Sequence, residues 1–141
     1  MSARITSDRD LWYLSANEAM ALFRARALSP VELLEALIRR AEAVEPTINA
    51  FAFTYYDEAL DRARRDETKY MKGRARALEG LPLAVKDAIA IKGRVTTKGS
   101  LIYRDRVDVH TNPAFERLLR AGGRGPHLPA DLDPHQILPE P

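Results

Sequence analysis

The segment from Gly80 to Gly93, GLPLAVKDAIAIKG, constrains this chain more than any other. Its apolar runs, Leu83-Ala84-Val85 and Ala88 to Ile91, are bounded by glycine and proline and fall short of the roughly ten residues that a helix needs. They read as short strands. Pro82 suits the first of them, because an opening strand residue need not donate to a ladder. Side chains alternate on an extended backbone, so Ala84 and Lys86 share one side while Val85 and Asp87 share the other. Asp87 then points away from the Lys86 ammonium. Downstream, VTTKGS at Val95 to Ser100 reads as turn, strand, turn.

The residues before this segment are helical in pattern. Ser15-Ala16-Asn17-Glu18 has capping-box spacing, which predicts a helix from about Ala16 to Ala27. Ser29-Pro30-Val31-Glu32 repeats it with proline at the first helical position. Leu34, Leu37, Ile38, Ala41 and Val44 then recur on one face until Pro46 ends the helix. Residues 48–55 fit a strand or a loop equally. A third helix, mostly solvated, is expected from Asp57 to about Lys72, with Gly73 as its stop. Asn112-Pro113 opens a last helix bearing Phe115, Leu118 and Leu119, and Gly122-Gly123 closes it. Helices first, then strand alternating with helix, indicate an α/β layered fold with part of a mixed sheet.

With 141 residues, 45% of them hydrophobic, the chain is long enough to bury a core. Basic and acidic residues number 22 and 20 and are interspersed, so neither a nucleic-acid nor a membrane footprint is expected. Absence of cysteine excludes disulfides, thiolate metal sites and thiol nucleophiles. The start, MSARITSDRD, has no apolar leader and no run suggests a membrane span, so a cytoplasmic location is expected. His110, His127 and His135 lack metal-ligand spacing, and neither a metal nor a cofactor is expected. The basic cluster Arg62, Arg64, Arg65, Lys69, Lys72, Arg74 and Arg76 is interrupted by acids and reads as a solvated helix face. Trp12 and Tyr13 are expected to staple the start of the first helix to a partner surface.

Lys86 carries the chemical interest. A free lysine, with a pKa near ~10.4, takes a proton at neutral pH only when it is desolvated or set beside other cations. A strand end can supply the first condition, and open α/β sheets place ligand sites at the carboxyl ends of their strands. By itself, however, an isolated lysine is most often an exposed one paired with a nearby carboxylate.

The residues LSANEAMALFRARALSPVELLEALIRRAEAVEPTINAF, GLPLAVKDAIAIKG, VTTKGS and ERLLRAGG, in this order, resemble the N-terminal part of the amidase signature family. The resemblance covers about Leu11 to Gly123. It implies cleavage or transfer of amide nitrogen by a serine, a cis-bonded serine and a lysine, with Lys86 at the position of the catalytic lysine. A small amide is the implied substrate, and homodimerisation through the N-terminal helices is the implied association. Asp87 matches an aspartate with a structural hydrogen-bonding role. Thr96, Thr97, Gly99 and Ser100 match a motif that shapes a turn, and Ser100 is not the family's nucleophile, which lies in a later glycine-serine loop.

That loop has no counterpart here, since no two consecutive serines occur in the chain. Lys86 is thus expected to be the sole member of the triad, residues 1–123 to be the N-terminal part of an amidase-signature domain, and the chain alone to be inactive. Residues 124–141 hold five of the nine prolines, show no periodicity and are expected to be disordered. Shifted by one nucleotide, their back-translation permits Arg-Thr-Ser-Thr-Pro and a later phenylalanine, reminiscent of the family's continuation. The tail is therefore read as out of frame. Two further functions fit the same residues: the A-subunit of a glutamine-dependent transfer-RNA amidotransferase, and a non-catalytic helical interaction module. The coding DNA tests the frame reading: a serine-glycine loop in the shifted frame supports it, and its absence removes it.

Overall fold

Serines set the helix starts in the computed structural model, which describes residues 7–123. Ser7 precedes α1, Asp8–Trp12. Before α2, Ala16–Ala25, Ser15 Oγ accepts the Glu18 amide at 3.2 Å and the Glu18 carboxylate accepts the Ser15 amide at 2.8 Å. Ser29 and Glu32 repeat the exchange at 3.1 and 2.8 Å ahead of α3, Pro30–Ile48. Each such cap satisfies amides that no helical turn can reach, worth typically ~1 kcal/mol. Helix α2 ends two residues before the expected Ala27, because Arg26 turns left-handed at φ 56° and the Ala27 amide bonds back to the Leu22 carbonyl at 3.0 Å. Pro46 does not stop α3. It sits in the last turn, where one lost hydrogen bond is tolerated, and the helix closes at Asn49, whose amide donates to the Glu45 carbonyl at 2.8 Å.

Helix α4, Tyr56–Met71, packs against α3, and α1 also packs against α3. The core is Leu11, Phe23, Leu33, Ala36 and Tyr70, with Phe23 and Tyr70 meeting edge to face at 5.6 Å. Leu33 and Ala36 are buried, whereas the expected face of Leu34, Leu37, Ile38 and Ala41 is only half-covered. Trp12 lies inside α1 rather than ahead of the first helix, and it holds to α3 of the same chain: its indole N–H donates to the Ala36 carbonyl at 3.1 Å, and Arg40 lies over the ring. Tyr13 is exposed.

The expected mixed sheet is not seen among the described residues. Among the described residues no strand forms, and Val95 meets Val107 in an isolated antiparallel bridge. A strand exists only through its ladder. Among the described residues the Leu83, Ala84 and Val85 amides donate to no backbone carbonyl, so no ladder forms there between described residues. The period of two survives without a sheet: Ala84 and Lys86 are exposed, while Leu83, Val85 and Asp87 are half-buried. Residues 48–55 resolve as the end of α3 followed by loop, and a short 3-10 turn spans Leu101–Tyr103. Asn112 caps α5, Pro113–Arg120, accepting the Ala114 amide at 2.9 Å. The expectation of a disordered tail at 124–141, with His127 and His135, falls outside the described residues.

Nor is the basic stretch near α4 a uniformly solvated face. Arg62 is buried, and Lys69 and Arg76 converge on Glu79, which is itself 0% exposed beside an equally buried Asp66. Arg76 Nε reaches Glu79 Oε2 at 2.6 Å, Lys69 Nζ reaches Oε1 at 2.8 Å, and Lys69 also meets Asp66 at 3.2 Å. Burial raises the Tyr70 phenol above its ordinary pKa, and its hydroxyl donates to the Glu79 carbonyl at 2.8 Å. The opposite side of this knot holds the end of α5: Arg76 donates to the Arg120 carbonyl at 3.1 Å and the Leu78 amide to that of Ala121 at 2.8 Å. Gly122, at φ 105°, lies so close that a Cβ there would sit 2.7 Å from the Glu79 nitrogen. Glu79→Ala should therefore lower stability by about 3 kcal/mol, the low end for a broken buried pair because Lys69 and Arg76 can turn to water. Urea unfolding checks this; a change below about 0.5 kcal/mol, the range of ordinary surface substitutions, would contradict it.

Candidate functional site

The Lys86 segment leaves the Glu79 knot through Gly80, whose φ of 78° no bulky residue adopts freely and where a Cβ would meet the Pro30 ring at 2.7 Å. Leu81 packs on the core. Beyond it, Leu83, Val85 and Ile89 line a groove of about 790 Å³ together with Ile38 of α3 and Phe53. The Lys86 carbonyl accepts both the Ala88 amide, at 2.7 Å, and the Ile89 amide, at 3.0 Å, which turns the chain sharply after the lysine.

Asp87 is engaged elsewhere, as its place on the opposite side from Lys86 implies. Its carboxylate accepts the Thr97 amide at 2.8 Å and the Thr97 hydroxyl, while its carbonyl accepts the Lys98 amide at 3.0 Å. Thr97 in turn accepts the Gly99 amide at 3.1 Å, and the turn runs through left-handed Lys98 and Gly99. Ser100 Oγ accepts the Ile102 amide at 3.3 Å, a turn-shaping contact. Thr96 is buried and its amide donates to the Arg106 carbonyl at 3.3 Å.

Lys86 itself is exposed and, among the described residues, its ammonium makes no hydrogen bond or ion pair. The burial expected at a strand end is not present, since that burial depended on neighbouring strands. His110 is also exposed, and among the described residues no group of three His, Cys, Asp or Glu side chains is arranged to hold a metal.

Sequence reasoning missed Arg94 and Glu58. Arg94 is 4% exposed, its guanidinium lies 3.9 Å over the Tyr55 ring, and it pairs with Glu58, which also pairs with Arg62. This contact ties the loop after Gly93 to α4, separated by 36 positions in the chain. The only local signal was an arginine among apolar neighbours directly after a glycine. Asp87→Ala should release the Thr97 turn while leaving the helices folded. Amide exchange at Thr97 and Lys98 should then accelerate with little change in helical circular dichroism; unchanged exchange at both would show that Asp87 does not hold the turn.

The amidase family profile matches residues 32–124. The glutamyl-tRNA(Gln) amidotransferase A-subunit of Chloroflexus aurantiacus is 38% identical over 114 residues, which are 80% of this chain and 23% of the relative. That of Pelobacter propionicus is 34% identical over 113 residues, with the same two coverages of 80% and 23%. Among solved structures, a bacterial aryl acylamidase of the amidase signature family superposes with a TM-score of 0.72 at 27% identity, over 79% of this chain and 24% of that one. A fatty acid amide hydrolase superposes with a TM-score of 0.77 over 85% of this chain and 21% of that one; at 22% identity this likeness is one of fold alone. The chain thus spans about a quarter of the length of the proteins it matches. No helix among the described residues is long and apolar enough to cross a membrane. Matched by the family profile over most of its length, the chain belongs to the amidase family.

Proposed function

We propose that Lys86 is the proton-carrying amine of an amide-cleaving site whose hydroxyl groups come from outside residues 7–123. The observation that carries this reading is the division of labour between neighbours: Asp87 is bound to the Thr97 turn, and Lys86, an exposed residue beside the groove, makes no ion pair among the described residues. Covering the groove with further polypeptide would desolvate the amine and favour its neutral form. A neutral lysine then accepts the proton of a serine hydroxyl through a second serine as the first attacks the amide carbonyl. The same proton returns to the departing amine when the tetrahedral intermediate collapses, and water later releases the acyl group.

Amide hydrolysis is the first form of this reading, with a small amide substrate, no cofactor and a cytoplasmic site of action. A second form, nitrogen transfer as part of a transfer-RNA amidotransferase, is favoured by the amidotransferase relatives at 34–38% identity. Both forms need the hydroxyl partners. The purified chain should show no turnover on a panel of small primary amides; turnover that disappears in Lys86→Ala would overturn the expectation of an inactive chain. In a chimera carrying residues 11–123 in place of the matched stretch of the aryl acylamidase, Lys86→Ala should lower turnover by roughly 10²–10⁴-fold, the usual range for a general acid or base. Full activity in that variant would remove Lys86 from the mechanism.

A further inference from the structure

Two carboxylates line the groove beside Lys86 among the described residues, and neither is paired with it. Glu58 is shared between Arg62 and Arg94. Of the groove's other charged groups, Arg40 lies over the Trp12 ring and Arg94 over the Tyr55 ring. That leaves Asp87, the next residue along the chain, as the carboxylate that decides the surroundings of the Lys86 ammonium. Lys86 also opens a tight turn, its carbonyl accepting the Ala88 and Ile89 amides, so the alternation of an extended backbone does not by itself keep the two side chains apart.

Thr97 holds that carboxylate with two donors from one residue. Its amide donates to Asp87 Oδ1 at 2.8 Å and its hydroxyl donates to Oδ2, so both carboxylate oxygens are occupied. A hydroxyl has a single proton to give. The Gly99 amide donates to the Thr97 oxygen at 3.1 Å, which takes up a lone pair and leaves that proton for Asp87. Hydrogen bonds to an ionised carboxylate are among the stronger kinds. We propose that Thr97 is a positioning residue for Lys86: its hydroxyl keeps the Asp87 carboxylate from pairing with the ammonium. A carboxylate within about 4–6 Å would favour the charged amine, whereas the reaction proposed above needs a neutral one. This role rests on the reading of Lys86 as a proton carrier, and it gives the Thr97 turn control over a neighbouring charge in addition to its shape.

An N-hydroxysuccinimide ester acylates neutral amines, and peptide mass mapping gives the rate at each lysine of the full chain. Lys72, exposed at the end of α4, serves as the internal reference. Thr97→Val should slow acylation of Lys86 roughly 3-fold relative to Lys72, the size expected of one exposed ion pair. Thr97→Ser, which keeps the hydroxyl, should label like the unaltered chain, and Thr97→Val combined with Asp87→Asn should restore the rate. Helical circular dichroism verifies that each variant is folded. Unchanged or faster labelling in Thr97→Val overturns the proposal. So does slowing that Thr97→Ser shares, or slowing that Asp87→Asn does not reverse, since either would make the effect one of turn shape alone. The labelling reads the charge on Lys86 without turnover. The expected pattern together with full activity of Lys86→Ala in the acylamidase chimera would therefore remove the proton-carrying reading and leave the hold of Thr97 on Asp87 standing.

Discussion

A buried carboxylate at position 79 holds this structure to its site. Glu79 is reached by Lys69 from α4 and by Arg76 from the following loop, and its backbone carbonyl takes the Tyr70 hydroxyl. Removing a carboxylate from water is costly, and the cost is met only where charge and hydrogen bonds surround it. That requirement acts here as a positional constraint. It fixes the loop before Gly80 against α4 and, through Arg76 and Leu78, against the end of α5. The stretch leading to Lys86 then leaves through Gly80, which lies against the Pro30 ring at the start of α3.

A second set of contacts fixes the far end of that stretch. Asp87 gathers the Thr97 turn, and Arg94 pairs with Glu58 beneath its stacking contact with Tyr55. Between these anchors runs an extended segment with no ladder partner among the described residues. Among the described residues it is positioned by the polar contacts at its ends and the apolar contacts of Leu81 and Leu83.

Features governed by short-range physics were legible in the sequence. Capping boxes at Ser15 and Ser29 gave helix starts to the residue, because the hydroxyl and carboxylate act within one turn. The period-two alternation from Leu83 to Asp87 and the hydrogen-bonding role of Asp87 were also readable, the latter through the family resemblance. The sheet was not, since apolar runs reveal a preference for extension but not whether a neighbour exists to pair with. The periodicity of Leu34, Leu37, Ile38, Ala41 and Val44 left open which face of α3 is buried, since a helix with two apolar faces offers two valid periodicities and only tertiary contacts rank them. The contacts of Lys69 with Glu79, Arg94 with Glu58 and Arg76 with Arg120 join residues 10, 36 and 44 positions apart, where no local pattern points.

The central claim is that polar anchors hold the Lys86 segment as firmly as the helices hold the core. Native-state hydrogen exchange tests it at three amides: Leu78, which bonds to Ala121, and Thr97 and Lys98, which bond to Asp87. The account predicts that they open with free energies close to those of the α3 and α4 core amides. Exchange at all three near the rate of an unstructured peptide, while the helices stay protected, would contradict it.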